Sequence, residues 1–83
     1  MIDYSFTRHA DRQLRKLPIV IQRRIIQKIK HYIATGNPLH FADSIEGEGD
    51  KVYRFRIGDY RIIFDWEGDY ILVTQVSLRS RAY

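Results

Sequence analysis

A basic segment runs from Lys51 to Arg61, and three of its side chains are guanidinium groups. Arg54 and Arg56 stand two positions apart in a stretch that alternates apolar and polar residues. In a β-strand both would project from one face, roughly 7 Å apart. Arg61 follows Gly58-Asp59, a strong hairpin signal, and joins that face if the strand register allows. Guanidinium groups bind phosphate oxygens bidentately and stay protonated at any useful pH. We therefore predict a surface that holds RNA phosphate.

The same arginines also have a plainer interpretation. The outer face of an antiparallel sheet is commonly polar, and nearby acids such as Asp59 and Asp65 would offset the positive charge there. The spacing alone leaves this alternative open.

The C-terminal segment SLRSRAY offers a second group of candidates. Arg79 and Arg81 follow the last predicted strand, and Tyr83 comes two residues later. A nucleobase can stack on an aromatic ring while a guanidinium holds its phosphate, so these residues are predicted to contact RNA. A tail with incidental charge is the alternative.

Metal and cofactor chemistry has little support in the sequence. His9, His31 and His40 are far apart and lack the spacing of metal ligands, and Asp65, Glu67 and Asp69 crowd a turn, where acids are common. The sequence contains no glycine-rich phosphate loop, nucleophile elbow or HExxH motif. We predict neither a metal site nor a cofactor.

Composition limits the class of protein. The 83 residues suffice for one domain, residues 1–83, with a formal charge of +4 and no cysteine. Disulfides are thereby excluded, and a reducing cytoplasm is the expected compartment. No apolar run approaches the ~18 residues of a membrane span. A basic chain of this kind attracts nucleic acid or an acidic protein.

The N-terminal half predicts a strand and two helices. Residues 2–6 alternate like a strand, and Thr7 is a suitable cap for a helix in which Ala10, Leu14 and Leu17 form an apolar stripe. Pro18 ends that helix and opens a second one. The stripe of the second helix consists of Ile21, Ile25, Ile29 and Tyr32 or Ile33. Gly36-Asn37-Pro38 provides its stop.

The C-terminal half predicts an acidic loop over residues 39–50 and then three strands. Val52–Ile57 and Tyr60–Trp66 alternate, whereas Tyr70–Ser77 is apolar almost throughout, as a central strand buried on both faces would be. The order is β-α-α-β-β-β. The predicted fold is α+β, with the N-terminal strand and a helical hairpin packed on a small, mainly antiparallel sheet.

These residues resemble a known family along nearly the whole chain. The segments FTRHADRQLRKLP, IQRRIIQKI and, above all, the hairpin YRFRIGDYRIIF resemble the RelE/ParE superfamily of type II toxin–antitoxin toxins, and the RelE-like branch in particular. The resemblance implies a cytoplasmic toxin with a cognate acidic antitoxin, through which alone operator DNA would be bound. For the RelE branch it implies cleavage of mRNA in the ribosomal A site by metal-independent attack of a 2′-hydroxyl.

The resemblance also implies roles for individual residues. Arg54 and Arg56 match the basic pair of the family's second strand, and Arg61 matches the arginine that holds the scissile phosphate. Arg79 matches the arginine after the last strand, and Tyr83 the tyrosine that stacks on a base or assists proton transfer. The implied catalytic residues are thus Arg56, Arg61, Arg79 and Tyr83, and the implied RNA contacts are Lys51, Arg54 and Arg81.

Two departures from the family pattern bear on activity. One is Arg56, because RelE-type enzymes often have lysine in the basic pair and a guanidinium does not readily give up a proton. Many members carry Gly-His-Arg where this chain has Ser77-Leu78-Arg79, so a histidine that would serve as acid or base is absent. Two alternatives therefore stand beside the ribonuclease: a ParE-like inhibitor of DNA gyrase, and a toxin that only binds its antitoxin.

Overall fold

The computed structural model describes residues 2–45 and 51–78, which form a layer of helices on a five-stranded sheet. In chain order the elements are β1 (Asp3–Phe6), α1 (Arg8–Arg15), α2 (Ile19–Ala34), a 3-10 helix (Pro38–Phe41), β2 (Ala42–Ser44), β3 (Val52–Ile57), β4 (Tyr60–Trp66) and β5 (Tyr70–Leu78). None of the helices in these ranges is long and apolar enough to cross a membrane.

The sheet has the strand order β1-β5-β4-β3-β2. β1 runs parallel to β5, whereas every other neighbouring pair is antiparallel. The predicted α+β fold, with a helical hairpin on a mainly antiparallel sheet, is confirmed.

The helices begin where the sequence predicts. The backbone N–H of Ala10 donates a 3.1 Å hydrogen bond to the Thr7 hydroxyl, which caps α1, and Pro18 is the cap residue of α2. Their apolar stripes cover one face of the sheet, with Ile25 and Ile29 fully buried against Phe55 and other strand residues. The α1 side chain of Gln13 also accepts a 2.7 Å hydrogen bond from the backbone N–H of Val76 in β5.

Two details of the predicted fold are wrong. The segment predicted as a loop over residues 39–50 contains the 3-10 helix and β2, while residues 46–50 lie outside the described residues. A strand of three residues is too short to show a side-chain period, and β2 forms because its backbone can pair with the edge of β3.

The last strand is also not buried on both faces. β5 is central, between β1 and β4, but buried residues alternate with partly exposed ones along it. Ile71, Val73 and Val76 are buried in the core that the strands share with the helices, whereas Leu72 lies on the opposite face and is only partly buried. The apolar composition of β5 therefore reflects its central position in the sheet and the β propensity of its residues rather than a second covering layer.

Two isoleucines of α2 test where the core lies. Ile25 is fully buried, whereas Ile19 is 57% exposed. We expect Ile25→Ala to lower the free energy of unfolding by about 2–5 kcal/mol because it leaves a cavity, and Ile19→Ala to lower it by less than about 1 kcal/mol. Urea denaturation with a constant m-value measures both. Equal losses would contradict the placement of α2.

Candidate phosphate-binding site

The arginines of the central hairpin lie on the sheet surface opposite the helices. In β3, Phe55 and Ile57 are buried in the core, and alternation turns Arg54 and Arg56 to the other side. In β4, Ile62 and Phe64 are buried, and Arg61 is turned the same way. We call the surface formed by Arg54, Arg56 and Arg61 the arginine face.

The strand register brings two of these arginines directly opposite each other. Ile57 pairs with Tyr60 across the two-residue turn, so Arg56 pairs with Arg61. Gly58 permits this turn because it adopts φ 60°, a conformation that side chains disfavour. Like charges at directly opposed positions repel one another. The predicted joining of the three guanidinium groups on one face is observed.

Among the described residues, one carboxylate partly offsets this charge. Asp43 of β2 is the cross-strand partner of Arg54. Its Oδ2 atom lies 3.3 Å from Nε of Arg56 and 3.5 Å from Nη2 of Arg54. The predicted partners, Asp59 and Asp65, form no ion pair with described residues. The role of Asp43 escapes sequence reasoning because it depends on β2, which has no side-chain pattern to reveal it.

The three arginines differ in how firmly the structure holds them. The Arg54 side chain is only 19% exposed, whereas that of Arg56 is 52% exposed. The Nε atoms of Arg54 and Arg61 are both buried and have no hydrogen-bond partner among the described residues. A buried donor without a partner costs about 1–3 kcal/mol.

The remaining predicted site residues are placed differently. Lys51 is exposed in the turn before β3. It precedes Tyr53 by two residues, so alternation puts it on the side of Tyr53 rather than on that of Arg54. It therefore does not belong to the arginine face. Arg79, Arg81 and Tyr83 lie outside the described residues. Residues 2–45 and 51–78 contain no group of three His, Asp or Glu side chains arranged to hold a metal ion.

The arrangement is suited to charge stabilisation rather than proton transfer. Three guanidinium groups on one rigid hairpin can bind a phosphate and the extra negative charge that it gains during substitution. A guanidinium does not give up its proton near neutral pH. The arginine face therefore supplies no general base.

Comparisons with known proteins agree on the class of fold. The structure resembles that of the toxin–antitoxin complex RelBE2 from Mycobacterium tuberculosis, with a TM-score of 0.82 and 22% sequence identity over 94% of this chain and 98% of that chain. It also resembles the RelB–RelE antitoxin–toxin complex from Methanococcus jannaschii, with a TM-score of 0.73 and 28% identity over 94% of this chain and 93% of that one.

A third solved structure, the archaeal RelE–RelB complex from Pyrococcus horikoshii OT3, gives a TM-score of 0.71 and 28% identity over 96% of this chain and 97% of that one. No curated protein matches the sequence. Residues 4–83 match the family described as the ParE toxin of the type II toxin–antitoxin system, parDE. Because that match spans nearly the whole sequence, the chain belongs to the ParE toxin family of type II toxin–antitoxin systems, within the RelE/ParE superfamily.

Proposed function

We propose that this toxin is a ribosome-dependent endoribonuclease that cleaves mRNA in the ribosomal A site, with the arginine face holding the scissile phosphate. One observation carries the proposal: Arg56 and Arg61 oppose each other directly on the arginine face, with Arg54 on the same face. A protein that keeps like charges together at the cost of mutual repulsion gains most when an anion binds between them.

The reaction requires no bound metal in this proposal. The 2′-oxygen of the RNA attacks the adjacent phosphorus, the bond from phosphorus to the 5′-oxygen breaks, and a 2′,3′-cyclic phosphate remains. The attacking hydroxyl loses a proton and the leaving 5′-oxygen gains one. The arginine face would orient the phosphate and stabilise the phosphorane that forms between these steps.

Proton transfer is assigned to residues beyond the arginine face. The family resemblance implies that Tyr83 would stack on a base or assist proton transfer and that Arg79, which matches the arginine after the last strand, would take part in catalysis. Arg81 would contact the RNA backbone, and Lys51 would do so from outside the arginine face. Their part in the proposal depends on the sequence motif alone.

The proposed partner is a cognate antitoxin with an acidic segment. The solved relatives are complexes of RelE with RelB. Within residues 2–45 and 51–78, Asp43 alone pairs with these arginines and offsets only part of their charge, so the arginine face would attract carboxylates from an antitoxin. Occupying that face would also exclude mRNA.

Arg61 gives the most direct test of the proposed function. We expect Arg61→Ala to lower the rate of mRNA cleavage in a translation extract by at least about 100-fold, because it removes a preorganised donor to the phosphorane. Arg61→Lys should restore only part of the rate, because lysine cannot bind bidentately. Primer extension on the message measures both rates.

Arg12→Ala is the control, because it removes the same charge from an exposed position on α1. It should cleave like the wild type. If the wild-type protein left the message intact at every codon with translation unimpaired, the ribonuclease proposal would be wrong.

Asp43 gives a prediction of opposite sign. We expect Asp43→Asn to bind a 2′-O-methyl RNA oligonucleotide up to about fivefold more tightly, since an exposed ion pair is worth about 0.2–1 kcal/mol. The gain should shrink as salt is raised. Fluorescence anisotropy measures the affinity. The control is Asp69→Asn, which removes the same charge in the turn after β4 and should leave the affinity for the oligonucleotide unchanged. Weaker binding by Asp43→Asn would show that its carboxylate orients the arginines for RNA.

Inhibition of DNA gyrase is the second candidate, and the family match to ParE toxins favours it. Under the leading proposal, the purified protein leaves gyrase supercoiling unchanged at concentrations that stop translation in an extract. Loss of supercoiling with intact mRNA would reverse the order of the two candidates.

A further inference from the structure

A concavity of about 330 Å³ opens on the same side of the sheet as the arginine face. Its lining combines apolar and polar side chains: Ile45, Val52, Ile63, Asp65, Thr74 and Gln75. Its volume falls at the small end of the usual range for ligand sites, about 300–1,000 Å³. We call it the strand pocket.

A β-bulge in β5 creates one wall of the strand pocket. Ile63 pairs with Gln75, but the next residue, Phe64, pairs with Val73, so Thr74 is an extra residue. In a regular strand, consecutive side chains point to opposite faces. The bulge allows Thr74 and Gln75 to line the same pocket. The Thr74 hydroxyl also donates to the carbonyl oxygen of Ile63, at 3.4 Å.

The strand pocket adjoins the arginine face. Ile63 is the direct cross-strand partner of Arg54, and Val52 precedes Arg54 by two residues on the same side of β3. Two residues along a strand span roughly 7 Å. A nucleotide whose phosphate lies on the arginine face can therefore reach the pocket with an attached base.

Asp65 is the feature that phosphate binding does not explain. It lies next to the arginine face, pairs with Val52 across the strands, and forms neither an ion pair nor a side-chain hydrogen bond with described residues. A carboxylate repels phosphate and therefore weakens RNA binding unless it has another role. When ionised it only accepts hydrogen bonds, and it can accept two side by side.

We propose that the strand pocket binds a guanine base of the RNA, and this inference rests on the proposed function. The Watson–Crick edge of guanine carries two adjacent donors, N1–H and the 2-amino group, which match the two oxygens of the Asp65 carboxylate. The exposed amide of Gln75 can donate to the neighbouring O6. Ile63 and Val52 supply an apolar surface for the face of the ring. Single-stranded RNA is commonly recognised in this way, through the edges of unstacked bases.

The test uses 2′-O-methyl oligonucleotides that differ at one base and are not cleaved. The wild-type protein should bind guanine about tenfold more tightly than adenine, which lacks the N1–H donor, and inosine, which lacks the 2-amino group, should fall between them. Asp65→Asn should lose this preference. Asp69→Asn, an exposed turn residue, should retain it. Anisotropy titrations give the affinities, and primer extension gives the matching codon preference in an extract.

The outcomes separate this inference from the proposed function. Arg61→Ala should weaken binding to all the oligonucleotides by the same factor, because it removes a phosphate contact. RNA binding that depends on Arg61 but shows no base preference, or a preference that survives in Asp65→Asn, would overturn the guanine assignment and leave the ribonuclease proposal standing. An intact message in the extract with the wild-type protein would overturn both.

Discussion

The register of the hairpin formed by β3 and β4 is the constraint on which the site depends. Strand side chains have a period of two, so a slip of one residue would turn every core residue outward and every arginine inward. The two-residue turn fixes the register from one end. The rings of Phe55 and Phe64 stack with their centroids 4.4 Å apart and fix the register from the buried side. The same register therefore determines both the packing of the core and the position of the arginines.

This arrangement stores electrostatic energy in a rigid element. Arg56 and Arg61 would move apart if their strands were free to slide, but the ladder of backbone hydrogen bonds and the aromatic core prevent it. Asp43, which lies on the neighbouring strand β2, relieves part of the repulsion between the arginines. Its side chain is 55% exposed, so the arginine face stays accessible. A site of this kind is preorganised: the cost of assembling the charges is met in folding rather than in binding.

Patterns with a strong local cause could be predicted from the sequence. The Thr7 cap, the isoleucine stripe of α2 and the Gly58 turn each arise from interactions among residues close in sequence. β2 could not be predicted, because a three-residue strand has no period and forms only where the edge of β3 is available. The function of Asp43 was missed for the same reason, since its contacts come from residues more than ten positions away.

The β-bulge in β5, which forms one wall of the strand pocket, could not be predicted from the sequence either. Nothing in the segment YILVTQVSL marks Thr74 as an extra residue, because the bulge is a property of how β5 pairs with β4 rather than of β5 alone. Its effect is nevertheless chemical: Gln75 would face the opposite way in an uninterrupted alternation with Val73, and the pocket would lose its amide wall. The hydroxyl of Thr74 and the side chain of Gln13, which bind backbone groups of Ile63 and Val76 on either side, hold the irregular strand in place. The arginine face is thus determined by alternation, whereas the pocket beside it is determined by the point at which alternation fails.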